Sequence, residues 1–351
     1  MTKWIYIFLI GSILAIGSAY FWLQSANNTR TDTKTAQTAT EENQDLTGER
    51  AGRVTFKNLG PAPEFKKIDA WLNGDPQTIA ALQNQVVLIN FWTYSCINCI
   101  NALADLNRWK ETYKENGLAI IGVHTPQYNF EKVPDNVQTV INRFKINYPV
   151  ALDNSYATWT AYKNQFWPAI YLIDRNGKIM YTHYGDGGLK TTEKAIRLLL
   201  GLETDPLSPI SAASDPNQVK SPDMPLGLKH LDFFANETIP SSQEKKYKLP
   251  DTLAVNTLAL EGRWKLENEK AVLTQGFGKI QLKFDAAKVY LRASSKALMS
   301  LKITVDGKTQ LPVNVEGADI YTLFDSGDYG EHILEIEIPA AGFEAVQFSF
   351  G

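Results

Sequence analysis

Val86-Val87-Leu88-Ile89-Asn90-Phe91-Trp92-Thr93-Tyr94-Ser95-Cys96-Ile97-Asn98-Cys99 is the stretch on which the fold of this chain turns. Val86 to Trp92 form a nearly continuous apolar run, which suits a central strand buried on both faces. Beyond the cysteines, Leu103, Leu106 and Trp109 or Lys110 recur at helical spacing and Gly117 is a good helix stop, so the pattern predicts a helix from Ile97 to about Asn116. The order is strand, short loop, Cys-x-x-Cys, helix. Cys96 then stands at a helix start, where unpaired backbone N–H groups and the helix dipole favour a thiolate. Cys99 lies one turn further in, placed to attack a mixed disulfide made by Cys96. Cys96 is the expected nucleophile and Cys99 the resolving thiol.

These are the only two cysteines among 351 residues. A structural disulfide framework and a four-cysteine zinc site are both excluded, because no further cysteine exists to build them. The four histidines, His124, His183, His230 and His332, are scattered, so no metal is expected. No cofactor is expected beyond the Cys96–Cys99 disulfide itself. The formal charge is -3 and no basic patch appears, which argues against a nucleic-acid partner.

Working outward toward the amino end, Trp4 to Leu23 hold no charged residue. A helix of that length, rising about 1.5 Å per residue, would cross a hydrocarbon core of about 30 Å. Trp4 and Trp22 flank the run where interfacial aromatics belong. Residues 1–24 therefore read as a membrane anchor with the amino end inside and the bulk of the chain outside. A signal segment cleaved after Ala19, releasing the chain to the periplasm, is the alternative. Residues 25–52 hold one leucine and no isoleucine, valine or aromatic residue, too little to bury, and read as a tether.

Residues 53–202 complete an α/β unit. A short helix around Pro76 to Leu82 is expected, then strands at Leu118 to Val123, Ala169 to Asp174 and Ile179 to Tyr184, with Asn176-Gly177 as a hairpin turn. Helices are expected at Phe130 to Phe144, Tyr156 to Asn164 and Thr192 to Leu200. The chain resembles the extracytoplasmic thioredoxin-like redoxins of the TlpA and ResA kind, and is most similar to the soluble part of the DipZ family. The stretches that carry the resemblance are Ala62–Phe65 (APEF), Val86–Cys99, Gly117–Glu131 (GLAIIGVHTPQYNFE), Tyr148–Ile179 and Thr182–Gly188 (THYGDGG). It implies a thioredoxin-like fold and electron transfer between thiols and disulfides in the cell envelope. It further implies disulfide-bearing envelope proteins as substrates and a separate membrane electron donor of the CcdA or DsbD type.

The resemblance also places Trp167-Pro168 in the slot of the cis-proline beside the disulfide, with the Trp167 backbone as a substrate contact. From the residues alone, Pro168 is simply a proline that opens a strand. Two departures stand out. Where thioredoxins carry a buried acid, this chain has Asn90, which can orient a thiol or water but cannot serve as a general base. Ile97-Asn98 replaces the familiar Gly-Pro between the cysteines, and these residues tune the potential in a direction the sequence does not reveal. Tyr94 and Trp167 are expected beside the disulfide. His124, at a strand end, reads first as a structural hydrogen-bonding histidine, with tuning of the thiolate or help in a peroxide step as the alternative.

Residues 203–247, rich in proline and serine, read as a connector. From about Lys248 to Gly351 the pattern alternates. Leu282 and Phe284, Val289 and Leu291, Ile303 and Val305, Leu334 and Ile336, and Phe348 and Phe350 each skip a polar neighbour such as Lys283, Tyr290, Arg292 or Glu335. Strands with one apolar and one wet face make an all-β, two-sheet sandwich, jelly-roll-like and similar to carbohydrate-binding modules. This region also resembles the C-terminal domain of the DipZ family. The domain is expected to dock against the first domain or present a partner surface; glycan binding, with Trp264, Tyr290 and Tyr321 as the candidates to stack on a sugar, is the alternative.

The function expected is a thiol–disulfide oxidoreductase of the envelope, acting as a reductase. A thiol peroxidase, or a non-enzymatic surface binder working through the β domain, are the alternatives.

Overall fold

The computed structural model describes residues 54–202 and 218–351. The anchor and tether, read at 1–24 and 25–52, lie outside the described residues. Among the described residues no helix is long and apolar enough to cross a membrane.

The apolar run forms strand β2 (Val86–Trp92), buried along its whole length, as a strand flanked on both sides must be. The first sheet comprises β1 (Ala70–Leu72), β2, β3 (Leu118–His124), β4 (Val150–Leu152), β5 (Ala169–Ile173) and β6 (Ile179–Tyr184) in the order β1-β4-β3-β2-β5-β6. β2 runs parallel to β3 and antiparallel to β5. Helices α1 (Ile97–Tyr113), α2 (Pro134–Arg143), α3 (Ala157–Ala161) and α4 (Leu189–Leu200) connect or follow the strands. Strand alternation splits β2 between two faces. Val87, Ile89 and Phe91 pack with Trp159 and Tyr162 in one core, which leaves Leu88, Asn90 and Trp92 to the other face. Gly122 of β3 leaves room for the Trp92 indole, since a Cβ there would stand 3.0 Å from its nitrogen and 3.2 Å from the Tyr148 ring, so the neighbours would have to give way.

The helix expected around Pro76 to Leu82 is absent. Residues 79–84 form turns, with Asn84 at φ 68°, because the Glu64 carboxylate draws the Ile79 and Ala80 N–H groups out of any helical ladder. Where a helix was expected from Phe130, a short 3₁₀ turn (Asn129–Lys132) precedes α2, because Pro134 occupies the first turn of the α-helix.

The all-β domain comprises β7 (Met224–Pro225), β8 (Lys245–Tyr247), β9 (Thr257–Leu266), β10 (Ala271–Asp285), β11 (Lys288–Val305), β12 (Lys308–Thr309), β13 (Val313–Asp325), β14 (Glu331–Ile338) and β15 (Glu344–Phe350). These nine strands share one hydrogen-bonded network instead of two separate sheets. The reason lies in β10 and β11. At 15 and 18 residues they outrun any one neighbour, and register breaks let them change partners as they wrap the core. The domain also begins earlier than its alternating pattern suggests. β7 and β8 join the sheet, and Met224, Leu226 and Tyr247 lie in its core, so the end of the stretch read as connector belongs to the fold. Trp264 is fully buried in that core, its indole N–H donating to the Glu261 carbonyl, so it offers no face to a sugar.

Asn58–Gly351 form one compact unit. Within it, the two domains meet through an Arg143–Asp319 ion pair, a hydrogen bond from the Tyr128 hydroxyl to Gln347, and Asn129 against Glu269.

Candidate active site

Cys96 is the N-cap of α1, in extended conformation (φ -89°, ψ 114°), and its sulfur accepts the Cys99 N–H at 3.3 Å. This is how a cap satisfies an orphan donor at a helix start, and it favours negative charge on the capping atom. No acidic side chain occupies the first turn of α1 to offset that field. Cys96 is 8% exposed and Cys99 is fully buried.

The two thiols are pushed apart. The Cys96 thiol is held below its ordinary value, first by the hydrogen bond from Cys99; burial works against this, while the positive charge of Arg292 adds to it. The Cys99 thiol is pushed well above its ordinary value by burial and then by the hydrogen bond and charge of Cys96. Such a split assigns the attacking role to Cys96 and the later, resolving role to Cys99. Alkylation of the reduced chain with iodoacetamide should therefore rise with pH and level off below the free-cysteine range of about 8.5, with Cys96 modified first and Cys99 spared. Mass spectrometry of the modified peptides checks this, and equal rates at the two thiols would remove the asymmetry.

Trp167-Pro168 is a cis peptide. Phe91 pairs with Ala169, so this bond sits at the end of the sheet from which β2 delivers Thr93 to Cys96. The Trp167 indole N–H donates to the Thr125 carbonyl at 2.9 Å, and its ring lies over Trp159 at 4.1 Å. Ile97 and Asn98 form the partly exposed first turn of α1. Asn90 is buried, with neither amide atom bonded to protein among the described residues.

Tyr94 and His124 are both fully buried and pack on each other. The Tyr94 ring stacks on His124 at 5.7 Å, and its hydroxyl reaches the carbonyls of Phe130 and, in the β domain, Ala318. His124 accepts the Tyr94 N–H at Nε2, and is brought down to about 3 by desolvation. It stays neutral at any physiological pH and lends the thiolate no charge. Its place is structural.

Three residues at the site escaped the sequence. Ser95 Oγ donates to the buried Glu131 carboxylate at 2.5 Å, and that carboxylate also accepts the N–H groups of Gln127 and Tyr128. Arg292, from β11 of the second domain, donates through Nε to the Ser95 carbonyl at 2.5 Å and to Ser95 Oγ at 2.9 Å. The polar face of β11 was read as wet, yet Arg292 is 2% exposed because the first domain covers it.

Residues 58–197 match the family described as Redoxin, and residues 221–351 match the one described as Thioredoxin like C-terminal domain. The Protein DipZ of Mycobacterium tuberculosis is 35% identical over 321 residues, covering 88% of this chain and 46% of the relative. The chain thus spans about half the length of that relative. Thiol-disulfide oxidoreductase YkuV of Bacillus subtilis is 29% identical over 140 residues, covering 40% of this chain and 94% of the relative. Thiol-disulfide oxidoreductase ResA of Halalkalibacterium halodurans is 25% identical over 128 residues, covering 36% of this chain and 70% of the relative.

Proposed function

We propose that this chain, whose residues 58–197 match the Redoxin family and 221–351 the Thioredoxin like C-terminal domain family, is a thiol–disulfide oxidoreductase that reduces disulfides of envelope proteins. The observation that carries the reading is the pair itself, with Cys96 capping α1 over the Cys99 N–H and the two thiols shifted in opposite directions. The names of YkuV and ResA support the same chemistry.

In the proposed cycle the Cys96 thiolate attacks one sulfur of the substrate disulfide. That S–S bond breaks, a mixed disulfide forms on Cys96, and the departing thiolate takes a proton. Cys99 then loses its proton and attacks Cys96, forming the Cys96–Cys99 disulfide and releasing the second substrate thiolate. The substrate gains two electrons and the pair loses two. A dithiol donor must return them, and a membrane protein of the CcdA or DsbD type would serve. The apolar run Trp4–Leu23 supports an extracytoplasmic position on an anchor.

The test is turnover of a protein disulfide, insulin with dithiothreitol as the electron source, together with the equilibrium potential of the pair. Turnover with a potential near that of thioredoxin, about -270 mV, supports reduction. A potential near -120 mV would reverse the direction, and no turnover would overturn the reading.

A further inference from the structure

We infer that Arg292 is a positioning residue of the redox centre, so that the β domain supplies a fixed positive charge to the active-site loop of the redoxin domain. The inference deepens the proposed disulfide exchange and rests on it.

Strand alternation gives the first observation. Val289, Leu291 and Ala293 of β11 face the core of the β domain, which puts Arg292 on the opposite face. Its neighbours on that face are Gln347 and Ser349 of β15, both buried. The register between β11 and β15 breaks between Arg292 and Ala293, where β15 carries one extra residue. Bulges of this kind re-aim side chains beside functional sites.

The second observation is what the guanidinium touches. Nε donates to both oxygens of Ser95, the residue before the nucleophile, Nη1 donates to Ser349 Oγ at 3.0 Å, and the group stands over the Tyr128 ring. Among the described residues no carboxylate oxygen comes within 4.0 Å of it. The carboxylates around it are met only indirectly: Asp223 feels its charge and bonds to the neighbouring Gln347, and Glu131 lies on the far side of the Ser95 hydroxyl. The guanidinium therefore makes its direct hydrogen bonds to neutral oxygens of the active-site loop and of Ser349, where an apolar side chain would fill the interface more cheaply. The domains already hold each other through Arg143, Tyr128 and Asn129. The one negative charge that forms and disappears beside Ser95 is the Cys96 thiolate, and it would complement Arg292 where the dielectric is low.

The charged groups facing Cys96 are Cys99 on its own helix, Arg292 from β11 and Asp223 just before β7, with Glu131 behind Ser95. Among these described residues only Arg292 is cationic. Its field stabilises the reduced, thiolate form of the pair.

The experiment compares the full chain with Arg292→Gln, Arg292→Lys and Ser349→Asp. The last keeps the arginine and its bonds to Ser95 but sets a carboxylate against it. In a Cys99→Ser background, the Cys96 thiolate is titrated by its ultraviolet absorbance. In the two-cysteine chain, the potential is measured against glutathione. Arg292→Gln and Ser349→Asp should each raise the Cys96 pKa by about one unit, a tenfold loss of thiolate at neutral pH. They should also make the pair more reducing, and a tenfold change corresponds to about 30 mV. Arg292→Lys, which keeps the charge and loses the fork, should recover most of both. If Arg292→Gln fails to fold, Ser349→Asp decides alone. An unchanged pKa and potential overturn the inference and leave the exchange reaction standing. A wild-type Cys96 with an ordinary thiol pKa and no exchange would instead sink the proposed function.

Discussion

Cys99→Ser should arrest the protein as a mixed disulfide on Cys96, whereas Cys96→Ser should yield no adduct and drop turnover by several orders of magnitude, to the uncatalysed rate. The difference follows from where each sulfur sits. Cys96 caps the helix and is the thiol whose anion is stabilised, so the first bond can form only there. Cys99 is held protonated by burial and by the hydrogen bond and charge of Cys96. Once Cys96 is tied into a mixed disulfide its charge is gone, and part of what suppresses Cys99 goes with it. The resolving thiol therefore gains acidity when its turn comes, which matters in a site where Asn90 cannot act as a base. A serine at 99 cannot form the competent anion, so the adduct persists. Non-reducing gels of cells producing each variant would show adducts with Cys99→Ser, released by dithiothreitol and absent with Cys96→Ser. Adducts formed equally by both variants, or by Cys96→Ser and not by Cys99→Ser, would contradict the assignment.

The part of this site that sequence reveals is the part built from local order. A buried strand, a tight loop and a helix start lie within Val86–Cys99, so the position of Cys96 follows from short-range pattern alone. The cis bond at Trp167-Pro168 is legible only through resemblance, because a strand-opening proline needs no cis peptide. Arg292 was hidden for a different reason. Alternation says which residues leave the core of their own sheet; it does not say whether solvent or another domain meets them. Arg292 therefore looked like Lys283 or Lys302, which do make surface ion pairs. One trace was present: the outward residues of β15 beside Arg292, Gln347 and Ser349, carry no charge, while outward positions of β10 and β14 hold Lys279, Lys283, Glu335 and Glu337. A neutral polar row on an otherwise charged face marks a covered surface. The same limit applies to Trp264, whose burial depends on how β10 wraps back over β9.

Acid should destabilise the folded chain through His124 by an amount comparable to a domain's whole stability. The ring is fully buried between Trp92 and Tyr94, and desolvation takes it from its ordinary 6.5 down to about 3. Unfolded, the same imidazole takes up a proton near 6.5. The unfolded state thus binds more protons throughout that window, and stability is fully present above the unfolded value and lost as pH falls toward the folded one. Each pH unit inside the window removes about 1.4 kcal/mol, so the full span is worth on the order of 5 kcal/mol against a typical 5–15 for a domain. Asp153, Asp186 and Asp223, which burial pushes up, act in the opposite sense below their folded values and offset part of the loss at the acid end. His124→Gln keeps an acceptor for the Tyr94 N–H and removes the titration. The variant should be less stable than wild type at pH 7, because ring contacts to Trp92 and Tyr94 are lost. Between pH 7 and pH 4 the wild type should then lose roughly 3 kcal/mol more than the variant, so the gap narrows or reverses. Urea denaturation at the two pH values measures both slopes. Parallel slopes would mean that His124 takes up its proton over the same pH range folded and unfolded, and that burial does not hold the ring neutral.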